Sequence, residues 1–148
     1  LAKRFHFPLE TLLRVRDIRE REAKRKVGLK QAEIARVDQL NRRTAEEISS
    51  RQDRLRLHQE GRLSASESIR ERAWIAYLRR TIGQRQAQRA ELVAQLEKLQ
   101  ETFVHARVQK RIIEKLRERR WDEYSRRRKR REQADADELA QQLHVRQW

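Results

Sequence analysis

The chain offers one obvious place to turn. Past Pro8, the only clustered helix-breaking signal is Gly61-Arg62-Leu63-Ser64. On both sides of it run long stretches rich in Arg, Glu, Gln, Leu and Ala, carrying only a thin apolar stripe. Residues of this kind favour helix, and one break between two such runs sets up two long helices folded back on each other. Composition points the same way. With 41% charged and 36% hydrophobic residues, one Pro and three Gly in 148 residues, the chain suits a long coiled coil better than a globule. The expected class is all-α: a long two-helix antiparallel coiled-coil hairpin with an overhanging C-terminal helix, forming a single coiled-coil domain over residues 1–148.

Local signals set the boundaries. Pro8 suits a first helical turn, where its missing N–H would be unsatisfied anyway. Gly61 can adopt the left-handed conformation that closes a helix. Ser64-Ala65-Ser66-Glu67 reads as a capping box. Helix one is expected over about 9–60, the turn at 61–64 and helix two over about 65–144.

Disorder competes with this reading, because net charge is high and hydrophobicity low. Periodicity decides for helix. Leu13, Glu20, Val27, Ile34, Asn41, Ile48 and Leu55 repeat as heptads, interleaved with Leu9, Arg16, Ala23, Lys30, Val37, Thr44 and Arg51. Helix two offers Leu78, Arg85, Leu92, Leu99, Ala106 and Ile113, interleaved with Ile82, Arg89, Leu96, Phe103, Lys110 and Arg117. Steps of three and four alternate, as a coiled-coil seam requires. Folding at the turn sets Leu13 against Ile113, Ala23 against Phe103, Val27 against Leu99, Ile34 against Leu92 and Ile48 against Leu78. Polar layers are expected where Asn41 faces Arg85 and Arg16 faces Lys110; such layers weaken a seam but fix its register. Along the first helix, Asp17–Arg21 and Glu20–Lys24 have the spacing of supporting ion pairs.

The same register leaves the end of helix two unmatched. An overhang of ~30 residues would extend roughly 45 Å as helix. It holds Trp121, Tyr124 and Arg126-Arg127-Arg128-Lys129-Arg130-Arg131. Consecutive helical residues step by about 100°, so this run is basic on every side. Trp121 is expected to need an outside surface or self-association, whereas Tyr77, near the turn, is expected in the core.

Little in the sequence supports catalysis. His6, His58, His105 and His144 lack metal-ligand spacing, and there is no Cys, so neither disulfide nor thiol chemistry is possible. The isolated Gly28, Gly61 and Gly83 build no phosphate loop. Glu46-Glu47 and Asp135-x-Asp137-Glu138 diverge on a helix and imply no cleft for acid–base work. No enzyme activity, metal or cofactor is expected. No apolar run approaches the ~20 residues of a membrane span, and Leu1–Pro8 lacks the apolar core of a secretory signal. A cytoplasmic chain is the expectation, with membrane association at most peripheral.

A net charge of +15 calls for an acidic partner: nucleic acid, an anionic membrane or an acidic protein surface. A basic-region zipper carries its basic segment ahead of a long parallel seam, whereas here it follows an antiparallel pair. No zinc or single-strand stacking signature accompanies the run. A solvated charged face is the first expectation for Arg126–Arg131, insertion into an acidic protein ring or cleft the second, and nucleic acid or membrane the weakest.

Three stretches, in order, carry a family resemblance. The opening Phe5-His6-Phe7-Pro8-Leu9-Glu10-Thr11-Leu12-Leu13-Arg14-Val15-Arg16, with Glu20-x-Glu22-Ala23, resembles the start of the FliJ-type flagellar export stalk proteins. Trp74-Ile75-Ala76-Tyr77-Leu78 is similar to their middle. Glu114-Lys115-Leu116-Arg117-Glu118-Arg119-Arg120-Trp121-Asp122-Glu123-Tyr124, then Glu132-Gln133 and Asp137-Glu138-Leu139, resembles their closing segment.

The resemblance implies a stalk of the flagellar type III export apparatus, located in the cytoplasm at the inner-membrane base of the flagellum. Its partners would be the hexameric export ATPase, the cytoplasmic domain of the export gate and export chaperones. It places Leu9, Leu12, Leu13, Arg16, Leu116, Arg120, Trp121, Tyr124 and Arg126, Arg127, Arg128, Lys129, Arg130 and Arg131 against the ATPase ring. Ile48, Leu55, Trp74, Tyr77, Leu78, Thr81 and Ile82 would face the gate. Two departures stand out: Thr81 lies where the family carries an aliphatic residue, and the Arg126–Arg131 run is more basic than the family pattern. The alternatives are the corresponding stalk of a virulence-type secretion system and a basic coiled-coil nucleic-acid-binding protein.

Overall fold

A computed structural model describes residues 3–147; Leu1 and Ala2, included in the signal-sequence reading, lie outside the described residues. Two helices follow in order, α1 (Glu10–Gln59) and α2 (Ala65–Arg146). Among the described residues neither helix is long and apolar enough to cross a membrane.

The turn forms as the sequence signals require. Gly61 N–H donates to His58 C=O (2.9 Å) and Arg62 N–H to Leu57 C=O (2.8 Å). This is the two-bond closure of a Schellman motif, with Gly61 in the left-handed position at φ 76°. The next helix is capped by Ser64, whose hydroxyl accepts from Glu67 N–H at 3.2 Å. A Cβ at Gly61 would meet no atom within 4 Å, so Gly61→Ala tests backbone strain alone. It is expected to cost about 1–2 kcal/mol, read as a lower denaturation midpoint with unchanged helix content.

Contacts divide the chain into two compact units, and both helices contribute to each. One unit spans Glu22–Phe103. Ala23, Ile34, Val37, Ile48, Ile75 and Leu78 form its buried apolar side, with Thr44, Ser68 and Glu71 buried beside them. Every expected seam position in this unit is buried or half-buried, including Val27, Leu92, Leu96, Leu99 and Phe103. Lys30 with Gln95 (2.9 Å) and Asp38 with Arg89 (2.6 Å) join residues that the expected register brings together.

One polar layer of this unit is built differently from expectation. Arg85 donates to Thr44 Oγ1 at 2.7 Å and to Leu40 C=O at 3.4 Å rather than to Asn41. Asn41 Oδ1 is left buried without a hydrogen bond. A guanidinium reaches farther than one helical layer, and Arg85 uses that reach to satisfy the buried threonine one turn on.

The other unit comprises residues 1–21 and 104–148, of which 3–21 and 104–147 are described. Leu9, Leu12, Leu13, Ala106, Ile113 and Leu116 line its seam, and Phe7 is the most buried of its described side chains at 4% exposure. Lys110 does not form a layer with Arg16. It reaches Asp17 (2.8 Å), Glu20 (3.1 Å) and Glu114 (3.5 Å), while Arg16 Nε is buried without a partner. Three carboxylates outcompete a like-charged neighbour, as Coulomb attraction requires. Asp17 also pairs with Arg21 at 3.1 Å; Glu20, expected to support Lys24, turns to Lys110 instead. The hydrogen bond from Lys110 holds the Asp17 carboxyl below the ordinary carboxylate range. The bonds to Asp17 and Glu20, in that order, push the Lys110 ammonium further up.

Candidate functional site

Near the turn, an ordinary seam layer supports an aromatic platform. Ile48, Ile75 and Leu78 form a closed apolar cluster, with Leu55 and Ile82 packed against it. Trp74 and Tyr77 fall outside that layer, one residue from Ile75 and Leu78 respectively. They emerge 42% and 50% exposed and stack on each other, with centroids 5.1 Å apart and planes 28° from parallel. The expectation that Tyr77 lies in the core is therefore corrected: with Leu78 occupying the seam, its neighbour is turned out by one helical step.

Charged side chains fix the platform from α1. Trp74 Nε1–H donates to Glu47 at 3.0 Å, and the Arg51 guanidinium lies over the indole at 5.3 Å. Arg51 also bonds Glu47 (3.2 Å) and Glu71 (3.1 and 3.2 Å). Glu71 is only 8% exposed, and Arg54 adds a longer contact to it at 3.8 Å. The indole N–H first, then Arg51, hold the Glu47 carboxyl below its ordinary range. An indole pinned at its edge and covered on one face loses little freedom when a partner docks, which favours binding.

Of the residues expected at the gate, Trp74 and Tyr77 alone are broadly exposed. Leu55, Thr81 and Ile82 are half-buried, and Ile48 and Leu78 are buried supports. Thr81 spends its hydroxyl on Tyr77 C=O at 3.0 Å.

The second aromatic group lies in the other unit and corrects a further expectation. Trp121 and Tyr124 are not without an intrachain partner. The segment ahead of α1 runs beside them, placing Phe5 edge-on to Trp121 at 5.1 Å and 85°, and 5.5 Å from Tyr124. Tyr124 donates its hydroxyl proton to Lys3 C=O. Arg117 covers Phe5 at 5.6 Å and pairs with Glu10 at 3.1 Å. Phe7 C=O accepts from Glu10 N–H at 3.2 Å, tying this segment to the first turn of α1. Trp121 still keeps 46% exposure.

Beyond Tyr124, residues 126–147 are exposed throughout. The uncovered overhang thus begins later than expected, because the pre-helical segment adds cover that a helix-only register omits. Arg126, Arg127, Arg128, Lys129, Arg130 and Arg131 are all exposed. Arg128 pairs with Glu132 at 3.1 Å. Lys3 and Tyr124 line an open cleft with Arg127, Arg131 and Asp135. The other residues expected at the ring divide by depth: Leu9, Leu12, Leu13, Arg16 and Leu116 sit half-buried in the seam, whereas Arg120 is exposed.

The register sets the Trp74–Tyr77 stretch close to Arg51, but sequence reasoning missed Glu47 and Glu71 in the setting of Trp74, and Phe5 as the partner of Trp121. Three-residue spacing from Leu78 would have found Ile75. Among the described residues no three His, Asp or Glu side chains gather as metal ligands.

The fold and its surfaces define a class: a two-helix hairpin with exposed aromatic and cationic groups. Within that class the assignment is specific. The family model described as the flagellar FliJ protein matches residues 5–147, and the chain belongs to that family. No curated protein and no solved structure matches it. Membership makes the chain a protein related to flagellar export.

Proposed function

We propose that this protein is the stalk of the flagellar type III export apparatus, inserting into the hexameric export ATPase and linking it to the cytoplasmic domain of the export gate. In this reading Leu9–Arg16 and Leu116–Arg131 serve the ring, and the Trp74–Tyr77 platform with Leu55, Thr81 and Ile82 serves the gate. Export chaperones are further partners. The observation that carries the reading is the placement of the exposed rings: in a chain this charged, Trp74–Tyr77 and Trp121 sit in different units, each beside its own ion network. Exposed, immobilised aromatics are the usual anchors of protein interfaces. An all-round basic helix suits an enclosing acidic surface better than a flat one, because a plane can engage only part of it.

The test is ATP hydrolysis by the purified cognate flagellar ATPase, with and without the full-length chain. Stimulation is expected, and is expected to fall away when Arg126, Arg127, Arg128, Lys129, Arg130 and Arg131 are all changed to Gln. Lack of stimulation by the wild-type chain, together with DNA binding that weakens steeply with salt, would instead support the nucleic-acid reading.

A further inference from the structure

On α2, within the unit that holds the chain termini, three β-branched residues stand fully outward. Val104, Val108 and Ile112 are 56%, 51% and 55% exposed. They follow one another at four-residue spacing and so form a continuous stripe. The half-buried seam residues of the same stretch are Ala106, Lys110, Ile113 and Arg117. At about 100° per residue, Val108 points almost opposite the mean direction of those four. The stripe is therefore the back of the helix, out of reach of α1. Val and Ile are also poorer helix formers than the Lys, Glu or Arg that an exposed face ordinarily carries. Their clustering gains nothing for the free hairpin.

The same face continues with Lys115 and Arg119, both exposed and both without an ion-pair partner among the described residues. Neighbouring Arg111, by contrast, is occupied by Glu114 (3.1 Å) and Glu118 (3.2 Å). Asp122, again on this face, marks its end. Apolar side chains at helical spacing, followed by two unpaired cations, match an amphipathic helix bearing apolar residues and then carboxylates.

We infer that the outer face of α2 from Val104 to Arg119 seats a third helix, supplied by a partner protein and carrying an acidic amphipathic stripe. Val104, Val108 and Ile112 take its apolar residues, and Lys115 and Arg119 pair with its Glu or Asp side chains. Val104, Val108, Ile112 and Lys115 lie outside the segments assigned to the ring and the gate, whereas Arg119 falls inside the Leu116–Arg131 ring segment, so only the gate surface is untouched by a seated third helix.

The test uses the full-length chain and a fluorescein-labelled synthetic amphipathic peptide with Leu at alternating three- and four-residue spacing and Glu flanking that stripe. A second peptide carries Lys in place of every Glu. Fluorescence anisotropy is expected to show binding of the Glu peptide and little binding of the Lys peptide. Val108→Glu should weaken binding of the Glu peptide by about tenfold or more, a loss of roughly 1.4 kcal/mol, with helix content unchanged because the site is exposed. The pair Lys115→Glu with Arg119→Glu should lose the Glu peptide and gain the Lys peptide. Absence of Glu-peptide binding, equal binding of both peptides, or indifference to Val108→Glu would each overturn the inference. So would concentration-dependent dimerisation abolished by Val108→Glu, which would give the face to a second copy of the chain.

Discussion

Leu78→Ala is expected to cost about 2–5 kcal/mol, enough to abolish a marginal helix pair near the turn, whereas Tyr77→Ala costs about 0.5 kcal/mol or less. The two residues are adjacent and similar in apolar content, so only their direction separates them. Leu78 is 6% exposed and closes a cluster with Ile48 and Ile75, at 9% and 5%. Removing its side chain withdraws buried apolar surface and leaves a cavity walled by two helices that can approach each other only by disturbing Leu55 and Ile82. Tyr77 is half in solvent and stacks on Trp74. Denaturant titration followed by far-ultraviolet circular dichroism reads both effects. Binding to the cytoplasmic domain of the export gate should invert their order: Tyr77→Ala, still folded, loses it outright, and Leu78→Ala loses it only as the helix pair melts. Equal losses of stability would return Tyr77 to the core and remove it from the proposed surface.

That contrast also marks how far the sequence could be read. The seam was legible because apolar periodicity and burial have the same cause: alternating three- and four-residue steps keep one line of side chains facing the other helix. All the seam positions named from spacing, from Leu9 to Arg51 and from Leu78 to Arg117, are buried or half-buried. The turn was legible because Gly61 and Ser64 act through their own backbone geometry. Illegible features were those in which a polar residue sits on the apolar side. Ser68 and Glu71 continue the spacing of Ile75 and Leu78 and are buried, yet a hydrophobic stripe ends where they begin. Glu71 tolerates burial because Arg51 crosses from α1 to meet it, and no pattern within one helix reveals a partner on the other. The aromatic site at the termini was hidden for a related reason. Phe5 lies ahead of Pro8, outside any helix, so helical periodicity assigned it no direction.

Phe7→Ala should release the segment ahead of α1 while sparing the rest of the hairpin. Phe7 is the least exposed side chain among the described residues of its unit, at 4%, and truncating a buried Phe ordinarily costs about 3–5 kcal/mol. Here the loss cannot exceed the stability of the segment itself, because a short terminal stretch can open alone without disrupting the helices behind it. The segment depends on few other contacts: the Phe5 ring against Trp121 and Tyr124 and under Arg117, the Tyr124 hydroxyl on Lys3 C=O, and Glu10 N–H on Phe7 C=O. Once Phe7 no longer anchors it, these should fail together. Hydrogen exchange should then rise at Glu10 and at the Trp121 indole, while exchange at Ile34, Ile75 and Leu78 stays slow and the global denaturation midpoint barely moves. A Trp121 uncovered in this way presents a larger apolar face to any enclosing partner. ATPase stimulation by Phe7→Ala therefore discriminates between two roles for the segment. A fall means that Phe5 and Lys3 belong to the surface the partner recognises, and a rise means that they screen Trp121 until the partner displaces them.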